Sequence, residues 1–167
     1  MMPISVADGS EIESLLDRAF GPNRHSRTAY NIRGQAGALP DLSFAAMNSG
    51  TLVGSVQCWR VLFRDDAGLA TPMVMLGPVA VDPARQQGGI GRQLVARALA
   101  AATEIGEAGA MMLIGDPEYY GRFFGFDAGR TSGWRLPGPF EPRRLLARGP
   151  GVPSGSGTLG PMATIFA

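Results

Sequence analysis

Apolar positions along this chain switch between helical and extended spacing, and the switches outline its elements. Ile12, Leu15, Leu16 and Ala19 recur at helical spacing, which predicts a helix running to about Phe20. Asp8 or Ser10 is its N-cap, and Gly21-Pro22-Asn23 ends it. Residues 4–7 ahead of it read as a short first strand, and residues 26–33 as a second short helix. Residues 42–47 and 52–63 read as strands joined at Asn48-Ser49-Gly50, a turn signal for an antiparallel hairpin. Residues 64–70 are polar and turn-like, so 73–81 (MVMLGPVAV) is the next strand of a meander. It must stop at Asp82-Pro83, where proline withdraws an N–H. Helical spacing returns at Ile90, Leu94, Val95, Ala98, Leu99, Ala102 and Ile105, predicting a helix to about Glu107. Residues 111–115 follow as a buried strand.

The last third is rich in Gly and Pro, which predicts long loops around isolated strands at 134–136 and 144–147. Residues 149–157 read as a surface loop, and 162–166 as a final strand at the sheet edge. There is no internal repeat and no linker, so residues 1–167 are expected to form a single α+β domain.

Composition narrows the function classes. At 45% hydrophobic, the 167 residues can bury a substantial core. A net charge of +1 gives no broad basic field, so no nucleic-acid partner is expected. Cys58 is the single cysteine, which fits a reducing cytoplasm. No apolar run is long enough to span a membrane and no signal peptide is recognisable, so the chain is expected to be cytoplasmic, with no membrane and no metal.

The chemistry concentrates in Val79 to Gly91, VAVDPARQQGGIG. A strand, a short polar loop with glycines at 88, 89 and 91, and a helix follow one another. A glycine-rich turn opening a helix gathers unpaired backbone N–H groups at the positive end of the helix dipole, which makes an anion cradle. The blander reading is a tight strand-to-helix connection. Two familiar phosphate loops are excluded: G-x-x-x-x-G-K-[ST] is absent, and Gly89-Ile90-Gly91-Arg92-Gln93-Leu94 lacks the third glycine of a dinucleotide fingerprint.

Gln86-x-x-Gly89-x-Gly91, just after Val81-Asp82-Pro83 and followed by Arg92-x-Leu94, resembles the R/Q-x-x-G-x-G/A acyl-CoA motif of the GNAT superfamily of N-acetyltransferases. A second block lies in the order that family shows: Asp116-Pro117-Glu118-Tyr119-Tyr120-Gly121-Arg122-Phe123-Phe124-Gly125-Phe126 is similar to its tyrosine helix and Gly-Phe entry. The Gly-Asp-Pro and Tyr-Tyr wording resembles a bacterial subgroup of acetyltransferases. That family usually places three residues between the tyrosine and Gly-Phe; here four follow Tyr120, which leaves Tyr119 as the second candidate.

The resemblance implies an α/β/α sandwich-like GNAT fold, with a mixed, mostly antiparallel central sheet, a splayed acyl-CoA cleft and helices on both faces. It implies transfer of an acetyl group from acetyl-CoA to a primary amine by direct attack. Gln86, Gln87, Gly88, Gly89, Ile90, Gly91 and Arg92 would hold the CoA pyrophosphate; Gln86 replaces the common arginine, giving a neutral donor with less long-range pull. Val79, Ala80 and Val81 would pair with the pantetheine arm as though it were a strand. Gly77 and Pro78 would start the bulge that admits it. The Val79 N–H would stabilise the oxyanion. Tyr120 would be general acid for the CoA thiolate, with Tyr119 in reserve, and Tyr120 would also contact CoA. A possible homodimer belongs to the same expectation.

No carboxylate occupies the two central strands, 52–63 and 73–81, so a water relay is an option for the base. His25 suits an exposed or capping role, Glu118 and Asp116 suit a helix start, and Cys58 suits a core thiol. Arg24, Arg27, Tyr30, Arg33 and Trp134 are candidates for lining the acceptor site, although arginines on a short helix usually form its solvated face. The acceptor is a small-molecule amine or a peptide or protein amine. The alternative reading is a CoA-binding sensor or regulatory domain without efficient turnover; a different α/β phosphate-ligand enzyme is a third.

Overall fold

The computed structural model describes residues 1–162. Two compact units emerge: Met1–Ser26, Ala38–Cys58 and Leu76–Gly106 in one, and Arg27–Gly37, Trp59–Met75 and Glu107–Ala167 in the other.

In the first unit, helix α1 (Gly9–Phe20) starts at a capping box. The Asp8 side chain accepts from the Glu11 amide, and the Asp8 N–H donates to Glu11 Oε1 at 3.1 Å. Ser10 is not the cap; its hydroxyl donates to Asp8. The first strand differs from the expected 4–7. Strand β1 is Met2–Pro3, and Ile4–Val6 is a 3₁₀ turn, because the chain must turn there to bring Asp8 to the helix start.

Strands β2 (Phe44–Asn48) and β3 (Thr51–Asp65) are joined by Ser49 and Gly50, both at positive φ (52° and 80°), as in a type I′ turn. Their register pairs Ala46 with Gly54 but Met47 with Leu52, so Val53 is a bulge. The bulge decides which side chains face which helix. Ala45, Met47 and Leu52 pack with Ile12, Leu15 and Leu16 of α1, together with Ala80 of strand β4 (Ala70–Val81). Phe44 points the opposite way, where the Arg97 guanidinium lies 4.5 Å from its ring centroid on helix α3 (Ile90–Glu104). Gly54 shares that second face: a Cβ on it would sit 2.8 Å from Ile90 and 3.0 Å from Leu94. This part of the sheet therefore carries α1 on one face and α3 on the other. α3 stops at Glu104, short of the expected Glu107, because Gly106 turns to φ 76°.

In the second unit, helix α2 (Thr28–Arg33) ends at Gly34 and packs on strand β8 (Gly157–Pro161). Strand β5 (Met111–Ile114) runs parallel to β4 and antiparallel to β7 (Leu145–Arg148). β8 lies antiparallel on β3 and parallel to β6 (Trp134–Arg135), with helix α4 (Pro117–Phe124) between β5 and β6 in the chain. The last described strand is β8 and not 162–166; Met162 follows it, and residues 163–166 lie outside the described residues. Gly157 suits a strand here because its missing side chain leaves room for Phe63. The sheet order is β1-β2-β3-β4-β5-β7, mixed but mostly antiparallel. Among the described residues no helix is long and apolar enough to cross a membrane.

Gly54→Ala is expected to destabilise the fold by about 1–3 kcal/mol through overpacking against α3. A lower urea midpoint at unchanged m-value would register it.

Candidate functional site

The glycine loop is built from its flanks inward. Asp82 Oδ1 accepts from the Ala84 N–H at 3.0 Å and the Asp82 carbonyl from the Arg85 N–H at 2.8 Å, which folds Pro83–Arg85 into a 3₁₀ turn. Arg85 is braced by Asn48, whose amide oxygen, turned toward it, accepts from both guanidinium nitrogens at 2.8 and 2.9 Å. Gly89 then takes φ 77°, ψ 11° and stands where a side-chain cap would. The first-turn amides of Ile90 and Gly91 consequently have no acceptor inside α3. Gln86, Gln87, Gly88, Gly89 and Arg92 are exposed around them. A Cβ on Gly89 would meet nothing within 4 Å, whereas one on Gly91 would touch Val81 at 3.5 Å and Val79 at 3.9 Å, ordinary contact. Position 91 therefore has room for alanine.

Among the described residues, the ladder along the adjoining edge of β4 is short. Its ladder with β5 consists of Val74↔Met111 and Met75↔Met112 and ends there, two residues before Gly77, which sits at φ 128° next to Pro78. On the opposite edge the Asp82 N–H donates to the Val53 carbonyl at 2.8 Å. Alternation along the strand directs the main-chain groups of Val79 and Val81 away from β3, toward the edge that the β5 ladder leaves. Gln86 Nε2 donates to the Val81 carbonyl there, at 3.3 Å. Ala80 differs from its neighbours: its main-chain groups face β3 and its methyl lies under α1, fully buried.

The tyrosines sit on α4, in the second unit. Asp116 caps it, its Oδ1 accepting from the Glu118 N–H at 3.2 Å, with Pro117 in the first turn. Hydrogen bonding with Glu118 holds the Asp116 carboxyl below its ordinary pKa, assisted by the charges of Arg143 and Arg144. Glu118 itself pairs with Arg143 at 2.5 Å. The Tyr120 ring lies against the Cα of Gly115, where a Cβ would be 2.6 Å from the ring. Tyr119 meets it edge-on at 4.9 Å between centroids, and buried Phe126 at 6.3 Å. Burial, then the neighbouring Tyr119 and Asp116, push the Tyr120 phenol up to about 12, against the opposing pull of Arg144. The fourth residue after Tyr120 completes the helix before Gly125 turns left-handed at φ 73°.

Other expected residues have different occupations. Arg24 does not line an acceptor site: it is buried and ion-paired with Glu13 and, at 2.9 Å, Asp17, tying the chain back to α1. Trp134 is likewise core, packed on Phe63 at 4.7 Å. Arg33 stacks between Tyr30 at 3.9 Å and Trp59 at 3.8 Å. His25 and Arg27 are exposed. Cys58 is buried and its thiol is pushed up to about 12 by burial, so it is no nucleophile. Sequence reasoning missed Gly115 as the support for Tyr120; its place before Asp116-Pro117 signals only a turn.

Residues 10–126 match the model of the Acetyltransferase (GNAT) family. An uncharacterised N-acetyltransferase of Escherichia coli K12, YhbS, is 32% identical over 120 residues, covering 72% of this chain and 68% of its own. The crystal structure of E. coli YhbS in complex with CoA superposes with a TM-score of 0.70 at 26% identity, covering 100% of this chain and 89% of that one. A GNAT-family acetyltransferase from Brucella melitensis in complex with acetyl-CoA gives 0.64 at 28% identity, covering 93% and 90%.

Gly115→Ala is expected to push the Tyr120 ring outward and lower its pKa from about 12 toward 10, visible as tyrosinate absorbance on alkaline titration. The raised folded value also means that Tyr120 costs the fold nothing below about pH 10, while stability falls as pH climbs from there through about 12. Denaturant titrations across that range would show a shallower fall in the Gly115→Ala protein.

Proposed function

The chain belongs to the acetyltransferase (GNAT) family, and from that premise we propose that residues 1–167 act as one cytoplasmic N-acetyltransferase domain, moving an acetyl group from acetyl-CoA to a primary amine. The observation that carries this reading is the open start of α3 beside the part of β4 that runs on past its ladder with β5: first-turn donors with no acceptor inside the helix, and space over Gly89 where a side chain would stand. A diphosphate fits such a cradle. That two similar proteins are solved with CoA or acetyl-CoA supports the choice of donor. When bound, acetyl-CoA supplies an activated thioester; the chain's own groups do the rest.

In this reading Gln86, Gln87, Gly88, Gly89, Ile90, Gly91 and Arg92 bind the diphosphate, and the Val79 and Val81 main chain aligns the arm. The Val79 N–H stabilises negative charge developing on the acyl oxygen. Tyr120 serves the leaving sulfur, with Tyr119 in reserve, and the Tyr120 phenol stays protonated throughout the neutral range. Its high pKa also limits it. An ordinary thiol ionises near 8.5, so complete proton transfer from a group at about 12 is uphill. Tyr120 therefore donates a hydrogen bond to the thiolate, and solvent completes the protonation. The acceptor is a small-molecule, peptide or protein amine, whose proton leaves to water.

Excess acetyl-CoA or CoA is expected to raise the melting temperature while NADH does not, because a ligand that binds only the folded state must stabilise it. No rise with either CoA species would refute the donor. Gly89→Glu should abolish the shift by filling the cradle. Tyr120→Phe is expected to lower kcat by about 10- to 100-fold, near the lower end of general-acid effects, with the acetyl-CoA shift retained. Full activity in that variant would transfer the role to Tyr119 or water.

A further inference from the structure

The α1 face of β3 carries two polar side chains to which the described residues offer no hydrogen bond. Ser55 is fully buried on β3 and its hydroxyl has no hydrogen-bond partner. Gln57, two residues on and therefore on the same face, is half-buried, and its carboxamide has no hydrogen bond among the described residues. Register places both on the strand that lines β4 on the side opposite β5. The Asp82 N–H donates to the Val53 carbonyl, and counting two along each strand brings Ser55 opposite Ala80 and Gln57 opposite Pro78. The same count meets the end of the hairpin, where Asp65 leaves β3 and Ala70 begins β4. On the other side Ser55 pairs with Ala45. Small methyls at Ala45 and Ala80 thus flank the hydroxyl, and Pro78 has no N–H to offer Gln57. The buried Ser55 hydroxyl costs stability unless something binds it, whereas half-buried Gln57 is open to water or to a ligand.

We propose that Gln57 receives the acceptor amine, its carboxamide oxygen accepting a hydrogen bond from the nitrogen and holding it on the α1 face of β4, next to Val79. The assignment rests on the N-acetyltransferase reading and names the polar contact that stands where a carboxylate is missing. A carboxamide neither takes a proton nor balances a charge. The α1 side chains that pack on this face, Ile12, Leu15 and Leu16, are apolar, and the carboxylates of that helix are already engaged: Glu11 accepts from the Asp8 N–H, and Glu13 and Asp17 pair with Arg24. An ammonium would be desolvated there without a counter-charge, so the amine is bound in its neutral form. The ammonium first loses one proton to water. The nitrogen lone pair then forms the N–C bond to the acetyl carbon, the C–S bond breaks with its electron pair on sulfur, the second nitrogen proton leaves to solvent, and sulfur takes one up. Gln57 keeps its protonation throughout and selects neutral primary amines with hydrogen to donate.

The test measures CoA release from acetyl-CoA with n-butylamine, tyramine, spermidine, L-lysine and glycylglycine, and takes the fastest amine forward. For the wild type, kcat/KM should rise tenfold per pH unit below the amine's pKa. Gln57→Leu, which keeps the bulk, should raise the amine KM about tenfold with the acetyl-CoA melting shift retained. Gln57→Glu should lower the KM for the ammonium form and flatten the rise of kcat/KM with pH, a change that a merely structural role would not produce. Wild-type KM and kcat in Gln57→Leu, or an unchanged pH profile in Gln57→Glu, would overturn the assignment and leave the acetyltransferase reading standing. If Gln57→Leu fails to fold, Gln57→Asn and Gln57→Glu decide by the same readouts. An acetyl-CoA melting shift with no turnover of any amine by the wild type would overturn both.

Discussion

A strand inside a sheet needs partners for its main-chain groups on both sides, and among the described residues the ladder on one side of β4 stops well before the strand does. Its ladder to β5 ends after Met75↔Met112, while the strand continues to Val81. Backbone donors and acceptors left at such an edge require water, a side chain or a ligand. The rest of the first unit is arranged around keeping that edge straight and accessible. β3 holds the opposite edge through Asp82 and Val53, α1 covers one face through Ala80, and α3 contacts the other through Gly91.

The bulge at Val53 lets both helices fit. Without it, Leu52 and Gly54 would share a face, and either a leucine would enter the close approach of α3 or a glycine would leave a void under α1. With it, leucine fills the α1 side and glycine admits Ile90 and Leu94 on the other. The same α3 begins at the left-handed Gly89, so its packing and the direction of its open amides are set together.

Much of this was legible in advance because amphipathic spacing and capping chemistry are local. Asp8 with Glu11, the Ser49-Gly50 turn, the run from Ile90 and the Asp116-Pro117 start could each be read from a few adjacent residues. Register was not. β3 reads LVGSVQCW, in which Leu52 shares a face with polar Ser55 and Gln57 while Gly54 and Val56 share the other, so neither face shows a clean period-two contrast and a one-residue bulge leaves no trace. Arg24, a candidate for the acceptor site on sequence, is instead a buried ion-pair partner, and the sign of it is that Glu13 and Asp17 lie one helical turn apart on α1 and together form a receptor for a cation. β8 was hidden by composition, since Gly157 and Pro161 look like loop residues until Phe63 and Gly34 are seen to need that space. Within the candidate site, the glycine loop and tyrosine pair were readable as motifs. The support under Tyr120 and the outward turn of Val79 and Val81 depend on contacts that no short stretch encodes.

The Gln86 amide already occupies the Val81 carbonyl, at a long 3.3 Å. Any ligand that pairs with that carbonyl therefore exchanges one weak hydrogen bond for another instead of gaining a new one, and the heat released at this end of the edge is small. Gln86 thus keeps that carbonyl paired through a neutral, readily surrendered contact. A cationic side chain in its place would hold the carbonyl by a charge-assisted bond that costs more to break.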